Sequence, residues 1–386
     1  MTRIGNHRLI LPAGLALAAL LTTAGPSHAS NELRSGIAEI AKSIKQLLDG
    51  KGEDSIVVGA FTGPANYPTS AGPGIQQVLA EELSKISITV KKRAKLGIKG
   101  EYLVTEVPAD EPRDVAESRR PKVLAILLKG TVEDEFGKIV TDFSFKQTVI
   151  RGDAAFVNLI GAPVDLPPNG TDEQRDKKIR ESLSKPKTFI TKTRISASPD
   201  GKLAIEVLVN GEARAVKDDE GLAYLAENIN RGQVYAVRLI NDTDQEMAVQ
   251  LTIDGLSMFQ FSELRVKDGP KKGQPAYGTL ILGPKKHFDV KGWHCTNERS
   301  TEFKVTEYAE TAAASINQTA NLGTITVSFR ASWPKGSPPP GDEPSKTKST
   351  TSGDGTGFGK SFEQKFKEVE RTVGVIRSSV SVRYAR

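Results

Sequence analysis

The chain has 386 residues, of which 38% are hydrophobic, and its 53 Lys and Arg against 47 Asp and Glu give a formal net charge of +6. This length is too great for one ordinary core and predicts two domains. The charges of both signs are dispersed, without an arginine-rich block, which argues against a nucleic-acid-binding protein, whose basic residues concentrate on one face.

The first 29 residues have the pattern of a signal peptide. Arg3 and Arg8 form a short basic start, residues 9–21 are apolar apart from Pro12 and Gly14, and Ser27-His28-Ala29 supplies small residues where a signal peptidase cuts. The apolar run is shorter than the roughly 20 residues that span a bilayer, and no later segment approaches that length. We therefore expect cleavage after Ala29 and an exported protein, periplasmic or extracellular, with no integral membrane span.

Cys295 is the sole cysteine of the chain. No intramolecular disulfide can form, so both domains must fold by packing alone. No cysteine follows the apolar run of the leader, and we therefore expect no lipid anchor. For Cys295 itself we expect a buried thiol beside an exposed histidine, and an intermolecular disulfide is the alternative.

Hydrophobic periodicity predicts a small α/β domain over residues 30–161. Apolar residues three and four apart indicate helices over 31–50 and 75–86, and short strands are indicated at 55–61 and 88–90. A glycine-rich loop, 63–74, separates the first strand from the second helix. The apolar run 123–128 predicts a covered strand, and the turn 135–138 leads into an alternating partner strand over 139–149.

This half resembles a superfamily of envelope proteins. The residues that carry the resemblance are Ile56-Val57-Val58-Gly59-Ala60-Phe61, the helix around Val78-Leu79-Ala80-Glu81-Glu82-Leu83, and Leu127-Leu128-Lys129-Gly130 before a hairpin with Gly137 at its bend. They are similar to those of curli-secretion and flagellar-assembly lipoproteins and penicillin-binding-protein activators. The resemblance implies a non-enzymatic role in assembling or activating other envelope components, although those relatives usually carry a lipid anchor.

Proline and glycine between residues 162 and 186 predict a linker, with Thr171 capping a short polar helix, and we expect few of its side chains to join a core. Residues 187–386 then alternate with period two, and turn dipeptides such as Asn210-Gly211 and Asp254-Gly255 separate the runs. The overall prediction is an α+β protein: the small mixed α/β domain followed by an antiparallel β-sandwich. Within this second half we also predict a helical turn over 222–229, a disordered insertion at 335–359 and a strand around 380–384 that returns to the sandwich.

The second half also resembles a domain of uncharacterised exported bacterial proteins, which supplies an architecture and almost no function. The resemblance rests on a series of short elements: Ile253-Asp254-Gly255-Leu256, Gly292-Trp293, Phe303 and Leu322-Gly323-Thr324-Ile325.

The residues that could carry chemistry do not form a recognised constellation. Gly357-Phe358-Gly359-Lys360-Ser361 lacks the first glycine and the preceding strand of a phosphate-binding loop. His287, His294 and Cys295 are too few for a structural zinc site, so we expect neither a metal nor another cofactor. The candidate binding residues are Asn66 and Tyr67 in the glycine-rich loop, together with Trp293 and His294.

These patterns favour an exported, non-catalytic protein that binds or assembles an envelope protein or a cell-wall polymer. One alternative is a hydrolase of peptidoglycan or wall polysaccharide, because paired carboxylates are abundant even though none is singled out. Another is a structural surface component that assembles with itself.

Overall fold

The fold combines helices with extensive β-sheet. A computed structural model describes residues 19–22, 28–108, 122–269, 272–305, 322–344 and 361–385. The mixed α+β class predicted from the sequence is confirmed. No helix in these ranges is long and apolar enough to cross a membrane.

The elements of the first half are β1 (Ala19–Thr22), α1 (His28–Lys51), β2 (Ser55–Thr62), α2 (Gly72–Lys85), β3 (Thr89–Val90), β4 (Leu96–Pro108), β5 (Lys122–Asp134) and β6 (Ile139–Ile150). Five of the strands form a sheet in the order β3-β2-β4-β5-β6, in which β2 runs parallel to β3 and β4 and the other pairs are antiparallel. The buried face of α1 consists of Ile37, Ile40, Ile44 and Leu48, as their spacing predicted, and α1 packs on α2 and β6.

Strand β4 was not predicted, although it pairs with β5 along its whole length, from Leu96 opposite Asp134 to Pro108 opposite Lys122. The sequence around Gly100 lacks the pattern of a strand, because a charged residue lies on each side of a glycine, and glycine weakens an ordinary strand. That glycine is needed here, since a Cβ atom would collide with the Lys129 carbonyl and the Phe61 ring.

The segment predicted as a linker is packed against both halves. It contains β7 (Val164–Asp165) and α4 (Asp172–Ser184), and it follows α3 (Asp153–Ala155) and a π-helical turn at Phe156–Ile160. The capping role of Thr171 is confirmed, because its side chain accepts a hydrogen bond from the backbone N–H of Gln174. The expectation that few side chains would join a core is wrong: Leu166 and Ile179 are buried in the apolar cluster of the first half.

The second half contains two large sheets. Its strands are β8 (Phe189–Thr191), β9 (Arg194–Ser196), β10 (Leu203–Val209), β11 (Glu212–Ala213), β12 (Val216–Asp219), β13 (Leu222–Leu225), β14 (Val234–Asn241), β15 (Met247–Ile253), β16 (Leu256–Ser257), β17 (Leu280–Leu282), β18 (Lys286–Val290), β19 (Gly292–His294), β20 (Arg299–Lys304), β21 (Leu322–Pro334), β22 (Ser361–Glu363), β23 (Phe366–Val369) and β24 (Arg371–Ala385). The ten-stranded sheet follows the order β12-β13-β24-β21-β15-β17-β1-β23, and β16 and β7 pair at its side. The nine-stranded sheet follows the order β19-β20-β14-β10-β9-β8, and β11, β18 and β22 pair at its side.

Two tight turns of this half were predicted and are confirmed. Asn210 and Gly211 join β10 to β11, while Asp254 and Gly255 join β15 to β16, and all four residues have positive φ. The predicted helical turn at 222–229 is wrong. Residues 222–225 are instead strand β13, because pairing with β12 and β24 satisfies their backbone groups.

The predicted disordered insertion is ordered where the structure describes it, over residues 335–344. Asp342 and Glu343 both accept hydrogen bonds from the Arg377 guanidinium, at 2.5 to 3.0 Å, and Glu343 is buried. This ion-pair network holds the segment against β24 despite its proline-rich composition. The remainder of the predicted insertion, 345–359, lies outside the described residues. The returning strand is confirmed as part of β24.

The apolar residues form two main clusters. One joins the first-half sheet and helices to the 151–184 segment. The other takes buried side chains from both large sheets, including Val207 and Val237 from one and Leu251 and Val327 from the other. The outward face of β21 and β24 carries small hydroxyl residues, which are also buried: Thr324, Thr326, Ser328, Ser379 and Ser381.

Candidate functional site

The glycine-rich loop that follows β2 is folded against the second half. The Ser70 hydroxyl donates to Asp254 Oδ1 over 2.6 Å, and the Thr69 hydroxyl donates to the Leu159 carbonyl over 2.8 Å. Asp254 Oδ1 also accepts the backbone N–H of Thr324 over 3.0 Å, which ties the loop to the start of β21. Of the two predicted binding residues in this loop, Asn66 is exposed to solvent and Tyr67 is buried.

Tyr67 is buried against a guanidinium group. Its ring centroid lies 5.6 Å from Arg383 Cζ, and burial raises the pKa of the phenol above its usual value. Arg383 itself is 0% exposed. Its guanidinium donates to the Pro68 carbonyl over 3.2 Å, to the Gly161 carbonyl over 3.2 Å and to the Ser381 hydroxyl over 2.7 Å.

These acceptors explain how a buried guanidinium is tolerated. Gly161 ends the π-helical turn in a left-handed conformation, and its carbonyl accepts hydrogen bonds from both Arg383 and the Ser381 hydroxyl. Desolvation lowers the pKa of Arg383, while the phenols of Tyr67 and Tyr224 oppose that shift. The arrangement connects the loop, the π-helical turn and β24, and it places Tyr67 at the junction of the two halves.

Trp293 and His294 lie in an aromatic cluster of the second half. The Trp293 ring meets Phe303 edge-on at 4.9 Å, and the His294 ring lies 5.1 to 5.6 Å from the rings of Phe259, Tyr277 and Phe366. Both residues are buried, so the expectation of an exposed histidine beside Cys295 is wrong at His294, which is 0% exposed. The exposed histidine is His287, on β18.

His294 is held neutral by its surroundings. Burial lowers its pKa from the usual 6.5 to about 4, and its Nε2 lies 3.2 Å from Asn297 Oδ1. The Asn297 amide donates to the Tyr277 hydroxyl, which in turn donates to Glu368 Oε2 over 3.0 Å. This chain of hydrogen bonds joins the aromatic cluster to β23.

Cys295 is buried, as expected, and its sulfur lies 3.1 Å from the Thr301 hydroxyl oxygen. Because Cys295 is only 5% exposed, its thiol is poorly accessible to a second copy of the chain. Within the described ranges, no three His, Cys, Asp or Glu side chains are grouped so as to hold a metal ion.

The tip of the hairpin between β5 and β6 presents apolar side chains to solvent. Phe136 is 87% exposed and Ile139 is 60% exposed. The turn is held by Asp134, whose Oδ1 accepts the backbone N–H groups of Phe136 over 3.0 Å and Lys138 over 2.9 Å, while Gly137 supplies a positive φ. The hairpin was predicted, but the exposed pair was not identified as a site.

A signal for this site was present in the sequence. Turn positions between strands are usually small or polar, and an aromatic residue immediately before the turn glycine has no local structural purpose. Glu135 is exposed beside Phe136, whereas Glu133 is paired with Lys99 at 2.6 Å. The tip therefore exposes two apolar side chains together with one acid, Glu135, and one base, Lys138.

No protein-family model matches the chain, and neither the curated proteins nor the solved structures contain a match to it.

Proposed function

We propose that this chain is an exported, non-catalytic envelope protein that binds a protein partner through the β5–β6 hairpin tip. The observation that carries the proposal is the exposure of Phe136, on a turn whose backbone is fixed by Asp134, and of Ile139, at the start of β6. Exposing a large aromatic side chain to water is unfavourable, and burying one in a partner contributes about 2 kcal/mol or more.

The supporting structure around the tip favours binding over a purely structural role for these side chains. The hairpin strands belong to the five-stranded sheet, and β5 is paired on both sides. A rigid platform keeps the apolar tip in one conformation and reduces the entropy lost on binding. Glu135 and Lys138 are both exposed on this turn, which favours a partner whose apolar pocket carries charges of both signs at its rim.

The architecture proposed for the second half is a β-sandwich. Support comes from the apolar cluster to which both large sheets contribute. The resemblance of the first half to envelope-assembly proteins is likewise part of the proposal, and export rests on the pattern of residues 1–29. Mass spectrometry of the protein recovered from the producing cell tests export directly: we expect an N-terminus at Ser30 in the envelope or secreted fraction.

Site-specific photo-crosslinking tests the binding role of the tip. A photoreactive phenylalanine analogue at position 136 should give a crosslinked species with an envelope protein in intact cells. The same analogue at position 217, which is exposed on β12, provides the matched control and should give none.

The Phe136→Ser/Ile139→Ser double variant separates binding from folding. Because both side chains are exposed, we expect the free energy of unfolding to change by less than about 0.5 kcal/mol, while co-purification of the crosslinked partner falls at least about tenfold. The Glu212→Ser/Lys217→Ser double variant, at exposed positions, should retain the partner. Unchanged recovery with the hairpin variant would rule out the tip as the binding surface.

A further inference from the structure

A short strand from the predicted leader occupies a position inside the ten-stranded sheet. Strand β1 runs antiparallel to β17, with Leu20 opposite Ile281, and parallel to β23, with Leu20 also opposite Lys367. It is therefore paired on both sides. In the described part of the chain, β23 has no other strand partner, so β1 alone connects it to the sheet.

Both neighbours of β1 are held in place by contacts that do not involve the leader. Strand β17 pairs with β15 from Met247 opposite Leu282 to Val249 opposite Leu280. Strand β23 is fixed at Phe366, whose backbone N–H donates to the Asn297 carbonyl over 2.8 Å and whose ring packs on His294.

A second contact fixes the middle of β23. Glu368 accepts the hydrogen bond from Tyr277 Oη over 3.0 Å, and Tyr277 is buried in the cluster shared by the two large sheets. Removal of β1 would thus leave β17 and β23 standing about 9 to 10 Å apart, which is twice the spacing of neighbouring strands. Each would present unpaired backbone N–H and C=O groups, which readily accept another strand.

We infer that, once the leader has been removed, the slot between β17 and β23 accepts a short, extended, apolar segment of another exported polypeptide. The inference rests on the proposed function in requiring leader cleavage. Strand β1 shows what the slot takes: four uncharged residues, Ala-Leu-Leu-Thr, antiparallel to β17 and parallel to β23. A second processed copy lacks this segment as well, which favours a different polypeptide as the occupant.

The surroundings of the slot suit an apolar strand. Ile281 of β17 belongs to a small buried apolar cluster with Ala248 and Val373, and Val369 at the end of β23 packs against it. Backbone pairing supplies affinity in such strand addition, and adjacent apolar side chains supply selectivity.

The test uses a fluorescently labelled peptide with the sequence of residues 17–24 as its probe. It is titrated into protein that begins at Ser30 and, in parallel, into the full chain. The protein from Ser30 keeps the buried face of α1 that the structure describes, from Leu33 to Leu48. We expect anisotropy to report binding to the protein from Ser30 and at least about tenfold weaker binding to the full chain, whose own strand competes at high effective concentration.

Backbone variants test whether binding uses strand pairing. Lys367 is exposed on β23, so Lys367→Pro removes a backbone donor from the slot, while Lys367→Ala keeps it. We expect about tenfold weaker peptide binding for the proline variant and no more than about twofold for the alanine variant. A Leu20→Pro change in the peptide should weaken binding similarly, so the result does not depend on the proline variant folding.

Two results would refute peptide binding in the slot between β17 and β23. One is the absence of binding below about 1 mM peptide, and the other is equal binding by the full chain and the chain from Ser30. Because the shortened protein is produced directly, neither result depends on whether cells cleave the leader. Recovery from cells of a chain that still contains residues 19–22 would instead refute the cleavage step, and with it the availability of the slot to a partner.

Discussion

His294 shows how the surroundings of one residue decide its chemistry. As a sequence feature it is a titratable group next to a thiol and a tryptophan, which suggested a ligand-binding role. In the folded chain three aromatic rings surround it, and burial lowers its pKa to about 4. Exposure to water could not be inferred from the alternation of a three-residue strand, because both faces of β19 are covered.

Protonation of His294 should make stability depend on pH. The folded chain binds this proton only near pH 4, whereas the unfolded chain binds it near pH 6.5, so stability is fully present above pH 6.5 and is lost as pH falls toward 4. The residue should contribute a loss of roughly 3 kcal/mol over that range. Urea unfolding of wild type and His294→Gln at pH 7.5, 6, 5 and 4 measures it.

The comparison with His294→Gln isolates the histidine from other titrating groups. The glutamine variant should lose less stability than wild type between pH 6.5 and 4, so the difference between the two proteins should shrink on acidification. A difference that stays constant with pH would show that His294 does not titrate upon unfolding.

At the scale of elements, α2 packs on the turn between β15 and β16 through glycines. The Gly74 N–H donates to the Asp254 carbonyl over 3.3 Å, and a Cβ at Gly74 would lie 2.6 Å from the Gly255 carbonyl oxygen. The sequence predicted α2 and the Asp254-Gly255 turn separately. Their contact could not be predicted, because 180 residues separate them and neither pattern specifies its neighbour.

Replacing Gly74 with alanine should therefore destabilise the protein, even though alanine favours helix formation. Displacing the backbone of the β15–β16 turn should cost about 2 kcal/mol in the free energy of unfolding. Gly50 offers a matched control: it also lies in a helix, α1, and a Cβ there meets no atom within 4 Å. Gly50→Ala should stabilise by about 0.5 to 1 kcal/mol.

Urea unfolding curves of the two glycine variants decide the matter. If Gly74→Ala were as stable as Gly50→Ala, the close approach of α2 to the turn would not be part of the folded state in solution.

At the scale of the whole molecule, Arg383 joins the two halves. Its guanidinium reaches Pro68 before α2, Gly161 after the π-helical turn and Ser381 on its own strand. Arg383→Met should cost about 2 kcal/mol, because the Pro68 carbonyl loses its donor in a partly buried site. Arg383→Lys should cost at least as much, since a compact ammonium cannot reach all three acceptors.

Two spectroscopic probes can show whether the halves separate. Both tryptophans, Trp293 and Trp333, belong to the second half, whereas the long helices α1 and α2 belong to the first. For Arg383→Met we expect the helices, monitored by circular dichroism, to unfold at a lower urea concentration than the one at which tryptophan fluorescence changes. Coincident transitions at the wild-type midpoint would show that Arg383 does not couple the halves.

Much of the local structure is determined by the sequence alone, because the spacing of apolar residues and the choice of turn residues depend on interactions between residues close together in the chain. The buried face of α1, the Thr171 cap and the Asn210-Gly211 turn all follow from that local chemistry. Strand β4 was not predicted, because local patterns alone indicate that Gly100 interrupts a strand. The Phe61 ring that requires a glycine at this position is distant in the sequence.

Tertiary structure alone decided what covers each surface. In β21, threonines and serines alternate with apolar residues, a pattern that is the same whether the polar face meets water or protein. Here Thr326 and Ser381 lie beneath Gly161, whose carbonyl accepts the Ser381 hydroxyl over 2.6 Å. Small hydroxyl side chains permit this close approach, but only the folded chain brings residues 220 positions apart into contact. Contacts between such distant segments also determine that Tyr67 is buried while Phe136 remains exposed.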